Sequence, residues 1–489
     1  MAVNAESVPM RWPAGPLDIA RREKEKGFSA ETAEVLRRWL DPASLAVVQS
    51  TPVNCLVVSW ASGLPADAGQ QQALKPLIDK GREAGLGFVG LIEGQANRSA
   101  AVAAAQSAGL SAVAMEGDAP AGAGIPVIPW NKAAEVRGTA SSPVLGISDG
   151  LWPGVPSGAP VLGGPTTLPW IDSNVAIVLI ARALAPGKGV WIGFDPPQQA
   201  KLAAEAYMLA VADPATYGAR WVVSLDDPLR ADLTARKQPA VDAWKKVTGT
   251  LEFFEQHKQA RTYQPAGVLA VMSNFAKPDW EAGRDALNSL PRLRQPFRVM
   301  ARSQAAAASW AGLKAIYYVD REPPNPELRQ KLIAFAKGGG ILFVPSNWPN
   351  PEGAPAPAEP YLLFTVRSLG KGRLAVCKEE RPDAYLTVAD IQVIMSHRND
   401  ILRLYSASSS NGFYQTSAQG GGVIHMLNYS CRPGSDGPLF YVRDQYKSAR
   451  LVSPELASPA PLKLAAQEEG GAELFLPRLS VYGAIELER

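Results

Sequence analysis

Residues 54–60 read NCLVVSW, residues 87–93 read GFVGLIE and residues 220–226 read RWVVSLD. Each is a short, continuous apolar run with little alternation, as expected of a parallel strand covered on both faces. The same texture returns at 111–116 (SAVAME), 125–130 (IPVIPW), 144–149 (VLGISD) and 190–195 (VWIGFD). Polar turns and amphipathic or Ala-rich stretches separate the runs. Leu74, Leu77, Ile78 and Gly81 share one helical face after the first run, and a second helix is predicted over 198–212. Strands alternating with helices mean βα units and a parallel sheet. Seven such strands in about 230 residues predict a (β/α)8 barrel of the TIM type with one strand unread. The short link after the fourth run makes that barrel irregular. A doubly wound sheet is the competing fold, but no G-x-G-x-x-G follows any strand.

The pattern changes twice more. A helical stretch over 231–261 closes the barrel, giving a first domain at 1–264. Strands at 267–272, 315–319 and 341–345 then surround a helix carrying Leu328, Leu332 and Phe335 at i, i+4 and i+7. Gly338-Gly339-Gly340 stops that helix abruptly. These elements define an α/β domain at 265–397, with the proline-rich segment 349–360 as a surface excursion. From 398 to 489 the chain reads as short strands and turns, a small antiparallel β-sandwich with strands at 401–407, 422–429, 472–476 and 480–487.

Composition narrows the function. The 489 residues are 46% hydrophobic and 19% charged, which excludes a disordered chain. No apolar run approaches the ~18–20 residues of a membrane span. With 49 basic against 46 acidic residues, the net charge of +3 gives no electrostatic handle for nucleic acid or anionic membrane. Cys55, Cys377 and Cys431 are far apart and form no C-x-x-C, so neither a disulfide scaffold nor a thiolate zinc site is expected. The three histidines form no H-x-x-x-H, and there is no G-x-x-x-x-G-K-[ST]; no metal and no cofactor are expected. The N-terminal residues lack the basic and apolar regions of a signal peptide.

The order of the three domains resembles a known architecture. GVLAVMSN opens the middle domain, ELRQKLIAFAKGGGILFVP carries its helix–Gly–strand unit, and LGKGRLAVCKE follows. GGVIHMLNYS and RLSVYGAIELE have the texture of the terminal strands. Together they resemble the family 42 beta-galactosidases and related clan A glycoside hydrolases: a barrel, a flavodoxin- or amidotransferase-like α/β domain, and a β domain. The resemblance implies a carbohydrate ligand and an extracellular or periplasmic location, and leaves a homo-oligomer open. It also implies an acid/base Glu in an Asn–Glu pair after strand four and a nucleophilic Glu after strand seven. The chain departs from that pattern, because Asn131 is followed by Lys132, the seventh run ends in Asp226–Asp227, and no Asn–Glu dipeptide occurs.

Barrel chemistry belongs at the C-terminal strand ends. Those ends carry Glu93, Glu116 with Asp118, Asn131, Asp149, Asp195, and Asp226 with Asp227. Two carboxylates across a glycosidic bond suffice for hydrolysis, and Glu116, Asp149 and Asp226 are the leading catalytic candidates. Each of them also suits a helix cap. Trp60, Trp130, Trp152 and Trp170 follow strands and, with Asn131, are candidates to bind sugar, since indole faces stack on sugar rings. They equally suit filling the barrel mouth. The long Gly- and Pro-rich loop 150–174 would cover such a site. Gly146-Ile147-Ser148-Asp149-Gly150 matches G-x-S-x-G, but Leu151-Trp152-Pro153-Gly154 cannot start the helix that motif needs. Two readings follow: a glycoside hydrolase, or an inactive barrel that binds carbohydrate or serves a structural role.

Overall fold

The structure is a computed structural model describing residues 2–25, 27–137, 142–154, 171–193, 195–196, 200–355, 361–405, 407, 409–433, 437–466 and 470–489. Eight parallel strands form one sheet in sequence order. They are β1 (Pro9–Arg11), β2 (Cys55–Ala61), β3 (Gly87–Ile92), β4 (Ala112–Met115), β5 (Val127–Asn131), β6 (Val144–Ile147), β7 (Gly189–Ile192) and β8 (Arg220–Trp221). A parallel bridge between Met10 and Val223 closes the sheet, with Arg11 N–H donating to Val223 O at 2.8 Å. The fold is therefore a (β/α)8 barrel. The seven predicted strands are β2 to β8, and the unread one is β1. It starts at Pro9, ends at Arg11 and is followed by Pro13, so the sequence shows no apolar run there.

The helices are α1 (Pro16–Arg22), α2 (Ala30–Arg38), α3 (Asp67–Glu83), α4 (Arg98–Ser107), α5 (Val175–Leu184), α6 (Ala204–Thr216), α7 (Asp227–Thr234) and α8 (Gln238–Gln256). The single helix expected over 231–261 is two, because Arg236 takes a left-handed φ of 52° and Pro239 starts α8 afresh. Among the described residues no α-helix follows β4 or β5. The predicted irregularity is thus real, and side chains staple these loops instead. Asn131 Oδ1 accepts from Gly117 N–H at 2.8 Å and Asp149 Oδ1 accepts from Ala133 N–H at 2.7 Å.

Alternate residues of the strands fill the barrel: Cys55, Val57, Val89, Leu91, Ala112, Ala114, Ile128, Val144, Trp191 and Val222 form one cluster with Trp130 against it. The large Trp130 indole fits because glycines stand beside it. A Cβ on Gly146 would lie 2.0 Å from the Trp130 ring, and one on Gly193 would lie 2.5 Å from it.

Contacts divide the chain into two units, with 185–257 grouped with the N-terminal barrel strands and 258–489 in the second unit. Helix α5 lies in sequence between β6 and β7 but belongs to the second unit. Almost all of its VAIVLIARAL residues are buried, which is how a helix apolar all round is accommodated.

In the second unit, a parallel sheet runs in the order β11 (Phe297–Ala301), β10 (Leu269–Ser273), β12 (Ala315–Tyr318), β13 (Ile341–Val344), β16 (Gly372–Cys377). Antiparallel β15 (Phe364–Leu369) and β14 (Ala354–Pro355) extend its edge beyond β16. Helices α9 (Trp280–Arg292), α10 (Pro326–Lys337) and α11 (Ala384–Met395) accompany the sheet, and α5 packs on α9 and β11. Short β9 (Gln264–Pro265) joins a terminal sheet of β18 (Ser410–Thr416), β19 (Gly422–Asn428), β21 (Ser448–Val452), β22 (Ala460–Leu462) and β25 (Tyr482–Glu488). Its companion sheet contains β17 (Leu402–Tyr405), β20 (Leu439–Val442), β23 (Ala465–Ala466) and β24 (Ala472–Phe475). Leu404, Ile424, Phe440, Leu451 and Ile485 share a core drawn from both sheets, the sandwich arrangement expected. Among the described residues no helix is long and apolar enough to cross a membrane.

Candidate active site at the barrel mouth

A cavity of about 450 Å³ opens among residues that follow the C-terminal ends of β1, β6, β7 and β8. Its wall includes Arg11, Asp18, Arg22, Ser148, Asp195, Ser224, Asp226, Asp227 and Arg230. Parity puts these groups there: Val222 points into the barrel, so Ser224 and Asp226 continue the same side upward.

Most charges in this wall are already matched. Arg11 donates to Val57 O at 3.1 Å, to Ser59 Oγ at 2.6 Å and to Asp18 Oδ1 at 3.4 Å. Asp18 also accepts from Ala14 N–H at 2.8 Å and from Ser59 O–H at 2.6 Å. Burial alone would lower the Arg11 pKa, but Asp18, Asp195 and Glu93 outweigh it and raise the value. Asp227 takes a two-pronged bond from Arg22, at 2.8 and 2.5 Å, and a further one from Arg230. Burial would push the Asp227 carboxyl up, yet the two guanidiniums hold it below the ordinary range. Glu25 pairs with Arg22 at 3.2 Å, and Glu93 pairs with Arg21 at 2.5 Å.

The predicted catalytic acids meet different fates. Asp226 is 4% exposed and is the N-cap of α7. Its carboxylate accepts from Leu229 N–H at 2.8 Å, Leu202 N–H at 2.9 Å and Tyr207 O–H at 2.7 Å. Asp149 is spent on the β5–β6 staple. Glu116 is exposed at the end of β4, beside the turn that Asn131 fixes through Gly117. The structure does not bring the three acids into one cluster of hydrogen bonds. Asp195, named among the strand-end acids but not among the leading three, follows β7 and accepts from Ser224 O–H at 2.8 Å. Among the described residues it is the cavity-lining acid with neither a helix to cap nor an arginine bonded to it. Arg11 and Arg230 both feel its charge.

Among the described residues Trp60, Trp130 and Trp152 are not placed together on exposed loops. Trp60 lies inside β2, 1% exposed, on the outward parity with Leu56 and Val58, and its N–H donates to Ala101 O of α4 at 2.9 Å. Trp130 belongs to β5 and crosses the barrel interior. Trp152 is 4% exposed and meets Tyr207 and Trp221 edge-on at 5.5 and 5.2 Å. Trp170 and residues 155–170 of the loop lie outside the described residues. Ser148 lines the cavity, and no helix begins in the described residues directly after it. Among the described residues, no three His, Cys, Asp or Glu side chains are grouped to hold a metal.

With the strands counted from Pro9–Arg11, the chain is a closed (β/α)8 barrel with its charged cavity on the C-terminal face, followed by α/β and β-sandwich parts. Its structure is similar to those of glycoside hydrolases. The exo-beta-1,4-mannosidase from Opitutaceae bacterium strain TAV5 matches with a TM-score of 0.48 at 14% identity, over 80% of this chain and 96% of that one. The beta-galactosidase from Bacillus circulans sp. alkalophilus matches with a TM-score of 0.45 at 8% identity, over 97% and 88%. A catalytic mutant of a GH42 beta-galactosidase from G. stearothermophilus matches with a TM-score of 0.42 at 9% identity, over 87% and 68%. No known protein family matches the sequence, and no curated protein matches it either.

Proposed function

We propose that the barrel hydrolyses a glycosidic bond, with Glu116 as general acid and Asp195 as the second carboxylate. The observation that carries this reading is the state of Asp195. Among the described residues it is the cavity acid with neither an arginine nor a cap to hold it, since Asp18, Glu25 and Asp227 are bonded to arginines and Asp226 caps α7. The family resemblance adds the positions. Its acid/base follows strand four and its nucleophile follows strand seven. Counting from β1, those places hold Glu116 and Asp195, where a count begun at β2 pointed to Asn131 and Asp226.

In this mechanism Glu116 gives its proton to the leaving oxygen as the bond to the sugar carbon breaks. Asp195 faces the carbon from the other side, as a nucleophile or as the base that takes a proton from water. Ser224 holds its carboxylate, while Arg11 and Arg230 supply positive field. Asp is one methylene shorter than Glu, which draws the carboxyl back by about 1.5 Å. That shift moves a retaining gap of ~5–5.5 Å towards the ~6.5 Å at which water fits between the groups. The reading therefore predicts inversion, with water as the attacking group. A binding-only barrel would need exposed aromatic faces, and Trp60 and Trp152 are buried.

A panel of 4-nitrophenyl and alkyl glycosides tests the assignment. The expected result is turnover of at least one sugar, with the first-formed product of inverted configuration by NMR. Glu116→Gln should then damage alkyl glycosides, whose leaving oxygen needs a proton, far more than 4-nitrophenyl ones. An equal loss on both would remove Glu116 from the acid role, and a retained anomer would remove water attack.

A further inference from the structure

The parallel strands of the second unit run β11-β10-β12-β13-β16, so the connections leave in opposite directions on either side of β10. In open sheets of this type, ligands lie in a crevice beyond the carboxyl ends of the strands. A cavity of about 500 Å³ lies there, lined by residues that follow β10, β12, β13 and β16 and by the first turns of α9 and α11. Its volume is in the range of small-molecule sites.

The floor is apolar and the rim is acidic. Tyr317, Val319, Val344, Pro345 and Cys377 make the floor. Around it stand Asp279, Glu281, Asp285, Glu379, Glu380 and Asp383, against two cations, Arg321 and Arg381. Internal pairing uses part of this charge: Arg321 donates to Asp279 at 3.1 Å and lies 3.8 Å from Glu380, Arg284 pairs with Asp285 at 2.8 Å, and Asp383 caps α11. Among the described residues Glu281 and Glu379 meet no cation. The half-buried Tyr317 phenol makes no hydrogen bond among the described residues either. Burial raises the pKa of the Tyr317 phenol and of the Cys377 thiol, so both are neutral near pH 7 and the carboxylates set the field.

We infer that this crevice is a second ligand site, independent of the barrel, for a small amine: an apolar or aromatic body on the Tyr317–Val344–Cys377 floor and an ammonium group among the rim carboxylates. The ammonium would meet Glu281 or Glu379 and the free lone pairs of the Tyr317 oxygen. An anion of the same shape would find Arg381 as the rim cation without a carboxylate partner among the described residues, set among more numerous carboxylates, and would bind more weakly.

Calorimetry on the full chain with benzylammonium chloride, benzyl alcohol and sodium benzoate tests this. Benzylammonium should bind with one-to-one stoichiometry, and the other two at least about fivefold more weakly. The double variant Glu281→Gln, Glu379→Gln changes two exposed side chains, so its melting temperature should hold. Its affinity for benzylammonium should fall about tenfold, the worth of one charged contact. Bound benzylammonium should also slow alkylation of Cys377 relative to Cys431. Absence of saturable binding by about 10 mM, equal binding of all three probes, or unchanged affinity in the double variant would each overturn the inference.

Discussion

At the end of β8 the Asp226 carboxylate accepts from Leu202 N–H, Tyr207 O–H and Leu229 N–H, so both its oxygens are occupied. Among the described residues Asp195, one strand back, accepts only the Ser224 hydroxyl. Two acids of the same type, at equivalent strand ends, thus differ in what they have left to give a substrate. Asp226→Asn turns an acceptor into a donor facing N–H and O–H groups. It should cost roughly 2–4 kcal/mol of stability through the lost cap and the buried bonds, read as a lower denaturation midpoint. A variant as stable as the parent would contradict the cap assignment. The cap was legible in the sequence: Asp226-Asp227-Pro228 is an N-cap followed by proline in the first turn. Asp226 suited both a strand-end acid and a helix cap in the sequence, and the structure shows the cap. Asp195 was harder to choose, because its distinction is what fails to bind it, and that depends on the positions of Arg11, Arg22 and Arg230 in folds of the chain far from it in sequence.

Among elements, the long runs were readable and the short ones were not. β2, β3 and β8 announce themselves through NCLVVSW, GFVGLIE and RWVVSLD, although β8 itself pairs over only Arg220–Trp221, whereas β1 lies in VPMRWP, where proline and arginine interrupt any apolar run. That one omission shifted every later strand number, and with it the positions expected to hold chemistry. Facing was the second difficulty. Trp60 looked like a residue beyond its strand, but its parity with Leu56 and Val58 turns it outward under α4. Within the barrel, Gly146 and Gly193 are there because Trp130 occupies the space their side chains would take. Gly146→Ala should force the indole from its rotamer and destabilise the protein by about 1–3 kcal/mol. A pairing of Gly146→Ala with Trp130→Phe should recover part of that loss in a double-mutant cycle. Strict additivity would show that the two residues do not compete for one space.

Over the whole molecule, the two-unit division is the feature least visible in the sequence. Expectation put residues 1–264 in one domain, yet α5, between β6 and β7 in sequence, packs on α9 and β11 of the second unit. Its all-round apolar face was the available signal, since a helix on a barrel's outside carries one wet side. A fragment ending at His257 would retain VAIVLIARAL without the surface that buries it. That fragment should aggregate or bind a hydrophobic dye, while the full chain does neither. A monodisperse, dye-silent fragment would show that α5 can be satisfied within the first unit. The central claim concerns Asp195, and its most direct test is the hydrolysis rate of Asp195→Asn on the best glycoside found for the parent chain. The account predicts a loss of at least about a thousandfold, ~4 kcal/mol of transition-state stabilisation, with an unchanged melting temperature. A variant that keeps parental turnover would place the chemistry elsewhere and contradict the account.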